Sequence, residues 1–241
     1  MRRVLITGGA SGIGAACVRR FQGDGCSVAV LDRDQRALEA SPAEFGTTCD
    51  VADADSLGAA VDEAAAALGG LDVVVAAAGI AARGTVADTD PGDWDRVVAV
   101  NLRGVYLTGR ATIPHLRAAG GGAIVNVSSQ FGLVGCLASP AYCASKAGLI
   151  GLTRAMAIDH TEEGIRVNCV CPGPVDTPML AWTDATPELT ARERGRTQGR
   201  NLSGRSGRPE EIAATIAFLL SDDVGFMSGS VVAVDGAWTA G

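Results

Sequence analysis

The amino-acid sequence predicts an α/β protein in which one parallel sheet is covered by helices on both faces. Short apolar runs alternate with longer amphipathic stretches along the whole chain, the pattern of strand–helix units joined by right-handed crossovers. Hydrophobic residues make up 47% of the 241, enough to bury a sheet from two sides. A glycine-rich turn, Gly8-Gly9-Ala10-Ser11-Gly12-Ile13-Gly14, separates the first apolar run from the first amphipathic one.

Seven runs read as strands, taken in chain order. Val4-Leu5-Ile6 is continuously apolar, as a parallel strand buried on both faces should be. Ser27 to Leu31 repeats the pattern and is closed by Asp32. A short strand is expected from Gly46 to Asp50. Val73-Val74-Val75, Ala123 to Val127, Arg166 to Val170 and Ser230 to Val234 complete the set. Between them, helical spacing marks 13–24, 33–41, 53–68, 91–119, 140–161 and 208–221. The segment 176–207, rich in Thr, Gly and Arg, has no period and is expected to be a lid over a binding site. No Pro/Gly/Ser-rich linker and no internal repeat interrupts the chain. A single domain over 1–241 is therefore expected.

Composition narrows the function. The net charge of −7 argues against nucleic-acid binding, which needs a basic surface. No apolar run approaches the length of a membrane span. Met1-Arg2-Arg3-Val4 leads within a few residues into the glycine turn, which leaves no room for a signal peptide. The seven cysteines are scattered, and they read as reduced, mostly buried thiols of a cytoplasmic protein. The one-residue separation of Cys169 and Cys171 suits alternate faces of a strand better than a zinc knuckle. His115 and His160 are too isolated for a metal centre, which argues against zinc-dependent alcohol chemistry.

One lysine is the most informative residue. Of the 20 Lys+Arg residues, all but Lys146 are arginine, and Lys146 follows Tyr142, one of two tyrosines, by four positions. A randomly placed lysine would do so with a probability of roughly 1%. An ammonium is a compact point charge with three rotatable donors, unlike a guanidinium. The pair could be an ordinary i,i+4 surface pair, but the remaining motifs supply what an acid/base tyrosine needs. A free phenol has a pKa near about 10. A cation roughly 5 Å away at an effective dielectric of about 20 contributes about 3 kcal/mol, which lowers that pKa by roughly two units, with burial opposing it.

The glycine turn suits a dinucleotide pyrophosphate: glycines permit close backbone approach, and the helix N-terminus meets the charge. Gly8, Ser11, Gly12, Ile13 and Gly14 are the expected contacts. Asp32, at the end of the second strand, is placed to accept both adenosine ribose hydroxyls and to repel a 2′-phosphate. NAD is therefore expected over NADP, although the adjacent Arg33 is a cation of the kind that holds such a phosphate. Asp32 reads equally as the N-cap of the following helix. Asp50-Val51 falls where an adenine ring would lie.

In combination these residues resemble the short, single-domain branch of the short-chain dehydrogenase/reductase family. The resemblance spans the chain: the glycine turn, Asp50-Val51, Asn101-Leu102, Ser128-Ser129, Tyr142 with Lys146, Pro172-Gly173 and Val234-Asp235-Gly236-Ala237-Trp238. It implies a three-layer Rossmann fold with a seven-stranded parallel sheet in the order 3-2-1-4-5-6-7, and a catalytic tetrad of Asn101, Ser129, Tyr142 and Lys146. In that tetrad Tyr142 is the general acid/base, Lys146 also holds the nicotinamide ribose, Ser129 binds the substrate oxygen and Asn101 anchors a water. Ser128 is the alternative to Ser129, turned to the opposite face by strand alternation. Pro172, Gly173, Val175 and Thr177 correspond to the segment that holds the nicotinamide carboxamide, and Ala77, Ala78 and Gly79 to the loop near the ribose.

The chain departs from the family where Asn-Asn-Ala-Gly becomes Ala76-Ala77-Ala78-Gly79, losing side chains that stabilise the central sheet. Gln130, Phe131, Leu133, Leu137 and Met179 read equally as ordinary core or as substrate walls, which would suit a small-molecule secondary alcohol or ketone. A carrier-protein-linked 3-oxoacyl reductase using NADPH is the rival enzyme, supported by Arg192, Arg194, Arg196 and Arg200 and opposed by Asp32 and Glu162-Glu163. A non-catalytic dinucleotide-binding scaffold or redox sensor is the rival from another class. The resemblance also implies a homotetramer assembled through helices 101–119 and 140–161, where Ala141, Ala144, Ala147, Gly148 and Gly151 permit close packing.

Overall fold

Continuous apolar runs bounded by turns place seven strands side by side in the computed structural model, which describes residues 1–181 and 202–240. They are β1 (Arg3–Thr7), β2 (Ser27–Asp32), β3 (Phe45–Thr48), β4 (Val73–Ala76), β5 (Gly122–Val127), β6 (Ile165–Pro172) and β7 (Val231–Val234). All pairs are parallel and the order is β3-β2-β1-β4-β5-β6-β7, as the sequence led us to expect. The helices are α1 (Gly12–Gly23), α2 (Gln35–Glu39), α3 (Ala54–Leu68), α4 (Pro91–Val98), α5 (Gly104–Ala118), α6 (Pro140–His160) and α7 (Pro209–Leu220).

Successive strand residues point to opposite faces, and the core divides accordingly. Val4, Ile6, Val28, Val30 and Val75 pack under α1 and α7, whose Val18, Phe21, Ile212 and Ile216 cover them. Leu5, Leu31, Val74 and Ile124 face α3, α5 and α6 through Leu57, Leu107, Leu116 and Met156. The chain winds outward from β1 in both directions, so the crossovers part between β1 and β4. In such sheets ligands bind beyond the carboxyl ends of the strands at that point.

Local differences from the expected elements have local causes. The helix expected over 33–41 is confined to Gln35–Glu39, and Asp34, not Asp32, is its N-cap, accepting from the Ala37 N–H at 3.0 Å. The long helix expected over 91–119 is broken by one wide π turn, Ala99–Arg103. Cys169 and Cys171 share one face of β6 against Ile150, because residues two apart on a strand point the same way. The expectation of alternate faces is corrected. Their hydrogen bond and burial hold the Cys169 thiol well above the ordinary range. Ala76 packs with Val105 and Leu149, an apolar contact at the position where the family resemblance implies asparagine. Its neighbour across the sheet, Asn126, is left with a side-chain oxygen that has no partner among the described residues.

At the opposite end of the sheet, Arg3 and Asp72 join the starts of β1 and β4. The Arg3 backbone N–H and Nε donate to Asp72 Oδ2 at 2.8 and 3.0 Å. These bonds hold the Asp72 carboxyl below the usual carboxylate range. A depressed pKa stabilises the fold above the unfolded value of about 3.9, and the contribution is lost as pH falls through the folded value. Asp72→Asn should therefore lower the urea midpoint at pH 7, and the gap from wild type should close in acid below about pH 3. A gap independent of pH would refute the assignment.

Candidate functional site

The carboxyl ends of the strands open onto a cavity of about 1250 Å³. At one end, the turn after β1 lies against the loop after β4. The Gly8 N–H donates to Leu31 O at 2.8 Å and the Ala77 N–H to Thr7 O at 3.1 Å. Gly8 has φ +69°, and a Cβ there would sit 2.6 Å from Ala78 Cα. At Gly14 a Cβ would lie 2.0 Å from Gly8 O. Both positions admit only glycine, which brings the backbone of the turn and the start of α1 together. Ser11 precedes α1 without capping it through its side chain. The first turn of the helix therefore presents amides to the cavity, the arrangement that takes a phosphate.

Asp32 stands at the end of β2 on the cavity wall, its two oxygens held by the N–H groups of Ala10 (3.0 Å) and Asp34 (3.1 Å). Each oxygen retains a lone pair for a ribose hydroxyl. Arg33 lines the same region, as do Asp50 and Val51. The residues present fit a dinucleotide: a glycine cradle, a helix N-terminus and a fixed carboxylate in one cavity.

The other end is built by β5 and α6. Tyr142 and Lys146 lie one turn apart on α6, 7% and 4% exposed, with Lys146 Nζ 5.7 Å from the Tyr142 ring centre. Lys146 Nζ donates to the carbonyl of Val127, the last residue of β5, at 2.8 Å. Ser129 hydrogen-bonds the Tyr142 side chain and accepts from the Phe131 N–H at 3.1 Å. Ser128 also lines the cavity, but its hydroxyl donates to Lys146 O at 2.8 Å, bracing the helix.

Asn101 lies outside the cavity, fully buried in the π turn. Its amide accepts from Ile80 N–H and donates to Ile80 O, both at 2.8 Å, and reaches Ser145 Oγ at 3.2 Å. It thereby fixes the loop after β4 against α6 and is a positioning residue here. Gly79, in that loop, lies against both: a Cβ there would stand 3.4 Å from Asn101 Oδ1 and 3.5 Å from Lys146 Nζ.

The electrostatics correct one expectation. Burial, the largest influence, pushes Tyr142 up to about 12, while the Ser129 hydrogen bond pulls it down and the nearby thiols of Cys136, Cys143 and Cys171 push it up. Burial likewise brings Lys146 down to about 8. The lysine cation was expected to make the phenol more acidic. In the protein alone burial dominates, because both side chains are buried and desolvation opposes the charged form of each.

Of the remaining expected contacts, Gly8, Ser11, Gly12, Ile13, Gly14, Ala77, Ala78, Gly79, Pro172, Gly173, Val175, Thr177, Gln130, Phe131 and Met179 all line this cavity. Leu133 and Leu137 do not. Leu133 is 42% exposed, and Leu137 contributes its carbonyl to Arg83 Nη1 at 3.3 Å. Cys136 and Arg83 line the wall instead. A loop arginine has no periodic signature, so the sequence offered no signal for Arg83. The base of the expected lid is tied by a parallel bridge between Val175 and Gly207. Its residues 182–201, with Arg192, Arg194, Arg196 and Arg200, lie outside the described residues.

The sheet order and the cavity define a doubly wound dinucleotide-binding protein. The family model described as enoyl-(acyl carrier protein) reductase matches residues 8–239. The chain is 44% identical to cis-4-hydroxycyclohexanecarboxylate dehydrogenase of Sinomonas cyclohexanicum, over 99% of this chain and 97% of that one. It is 40% identical to 2-(S)-hydroxypropyl-CoM dehydrogenase 3 of Xanthobacter autotrophicus, over 98% and 96%. The crystal structure of levodione reductase superposes with a TM-score of 0.92 at 35% identity, covering 99% of this chain and 98% of that one. The chain belongs to the short-chain dehydrogenase/reductase family, whose members use a nicotinamide dinucleotide.

With Tyr106→Phe, Tyr142 is the one phenol left. At pH about 10, where an ordinary phenol is half ionised, ultraviolet difference spectra of that variant without nucleotide should show less than about a tenth as tyrosinate. Half-ionisation there would mean that burial does not govern the site.

Proposed function

We propose that the chain is an NAD(H)-dependent dehydrogenase that interconverts a secondary alcohol and a ketone by hydride transfer, with Tyr142 as general acid/base. The observation that carries this reading is the meeting of Tyr142, Ser129 and Lys146 in the cavity that also holds the glycine cradle and Asp32. NAD, when bound, supplies the hydride acceptor and a positive ring charge.

Ser129 and Tyr142 hold the substrate oxygen between two hydroxyls. As the alcohol is oxidised, its hydroxyl proton passes to the Tyr142 oxygen; in reduction it returns from there. Lys146 keeps an ammonium beside the phenol and offers its other N–H groups to the nicotinamide ribose, while Val127 O fixes its direction. Asn101 keeps the 79–80 loop from closing on them. Pro172, Gly173, Val175 and Thr177 take the carboxamide and set the ring face.

Asp32 selects NAD by accepting the ribose hydroxyls and repelling a 2′-phosphate. Arg33 is the feature that favours NADP and the carrier-protein reductase reading. The substrate wall of Phe131, Met179 and Leu180 suits a moderately apolar alcohol, in keeping with the relatives named for hydroxycyclohexanecarboxylate and hydroxypropyl substrates. The exposed small residues Ala144, Ala147 and Gly151 on α6 support a homotetramer formed through helix packing. Seven free thiols support a reducing, cytoplasmic setting.

Tyr142→Phe should lower kcat for oxidation of a secondary alcohol by on the order of 10² or more, with nucleotide affinity by fluorescence titration retained. Near-normal turnover would remove the mechanism, and a wild-type chain that binds nucleotide without turnover on a broad alcohol and ketone screen would favour the scaffold reading. Asp32→Ala should narrow the ratio of kcat/KM with NAD to that with NADP. An unchanged ratio would assign cofactor choice elsewhere.

A further inference from the structure

Gln130 directly follows Ser129 and opens the short turn Gln130–Gly132 beyond β5. Its backbone carbonyl is engaged, accepting from the Leu133 and Val134 N–H groups at 2.9 and 3.0 Å. Its side chain is not. The residue is 1% exposed and lines the cavity, and its Oε1 is buried with no hydrogen-bond partner among the described residues. Leaving a buried acceptor unmet is costly, and native proteins meet nearly all such groups. An amide oxygen is satisfied only by a donor, so an anion or an ether oxygen brings it nothing.

The polar groups beside it already have tasks. Ser128 gives its proton to Lys146 O and Lys146 Nζ donates to Val127 O, both at 2.8 Å. Ser129 and Tyr142 hold the reacting oxygen under the dehydrogenase reading. Phe131, Met179 and Leu180, which line the same cavity, carry no side-chain donor. The missing donor therefore comes from what enters the cavity. The terminal amide torsion of glutamine is broad, so a turn about that bond presents the oxygen to a ligand. Consecutive Cα atoms lie about 3.8 Å apart, so groups met by Ser129 and by Gln130 fit neighbouring carbons of one small molecule.

We propose that Gln130 is a specificity residue whose side-chain oxygen accepts from a second hydroxyl, carried on the carbon beside the reacting carbinol. The substrate class is then a vicinal diol, oxidised to an α-hydroxy ketone. Hydride leaves the reacting carbon for the nicotinamide, that carbon's hydroxyl proton passes to Tyr142, and the second hydroxyl keeps its hydrogen throughout. This inference rests on the dehydrogenase reading for its reacting end. The acceptor site itself depends only on the placement of Gln130.

The test compares cis- and trans-cyclohexane-1,2-diol with cyclohexanol and 2-fluorocyclohexanol as substrates of the nucleotide-loaded protein. Fluorine occupies nearly the space of the hydroxyl and donates nothing. Wild type should favour the better diol over either comparator by about tenfold or more in kcat/KM, mostly through KM. In Gln130→Met, which keeps the length of the side chain and removes the amide, both ratios should fall to within about threefold of one. Comparing ratios between the two proteins cancels the inductive effect of fluorine on hydride loss. Wild-type ratios near one would overturn the proposal. So would ratios that Gln130→Met leaves unchanged, since a water would then be meeting the oxygen.

Ligand-observed NMR titration with 2,3-dimethylbutane-2,3-diol and 2,3-dimethylbutan-2-ol, whose tertiary carbinols cannot lose hydride, separates the two readings. Tighter binding of the diol, lost in Gln130→Met, in a chain that turns over no alcohol would retain the acceptor site and reject the dehydrogenase. Equal binding of the two by wild type would reject the acceptor site whatever the turnover.

Discussion

A buried ammonium group organises the active end of this protein. Lys146 is 4% exposed, and a charged side chain is stable in such a place only when its donors are met. Val127 O meets one of them, and that carbonyl is available because β5 ends there. The Ser128 hydroxyl in turn holds Lys146 O, so strand and helix brace each other at the point where the ammonium emerges. Tyr142, one helical turn away, is likewise buried. Burial displaces each group toward its neutral form. Under the proposed function, the positive ring of an oxidised nicotinamide would favour ionisation of the phenol against this burial.

The phosphate end follows a different logic, one of clearance rather than charge. Gly8 and Gly14 remove side chains where the turn after β1 presses against the loop after β4 and against itself. The carboxylate of Asp32 is immobilised by two backbone N–H groups, so under the proposed function it would meet a ribose already in position. Both ends are therefore preorganised by backbone contacts of the central strands, and the cavity between them inherits their spacing.

Much of this was legible from residue order. Unbroken apolar runs are diagnostic of strands buried on two faces, and all seven emerged within a few residues of the expected bounds. The glycine turn, Asp32, and the Tyr142–Lys146 pair each announce themselves because a single residue type is required at a single spacing. What stayed hidden depends on three dimensions. The side chain of Asn101 can compete with backbone bonding and so signals a loosened helix within 91–119, but not that the break takes the form of a π turn. The sign of the Tyr142 displacement is a contest between a neighbouring cation and desolvation, and burial cannot be read from a list of neighbours in sequence. Arg83 and Cys136 reach the cavity from irregular loops, where no period says which way a side chain points. The Cys169 and Cys171 error was of another kind, since the two-residue repeat of a strand already implies a shared face.

The last strand has a consequence for biosynthesis. Gly173, in the segment after β6, is held by its N–H bond to Val234 O at 3.0 Å. Phe131, beside Ser129, packs edge-on against Trp238 at 6.1 Å between ring centres. Both sides of the cavity mouth thus lean on residues 234–238, which a ribosome adds after every other part of the sheet. Under the proposed function, a chain cut short of Trp238 would keep the strands that build the glycine cradle and lack the ring that Phe131 packs against at the nicotinamide end.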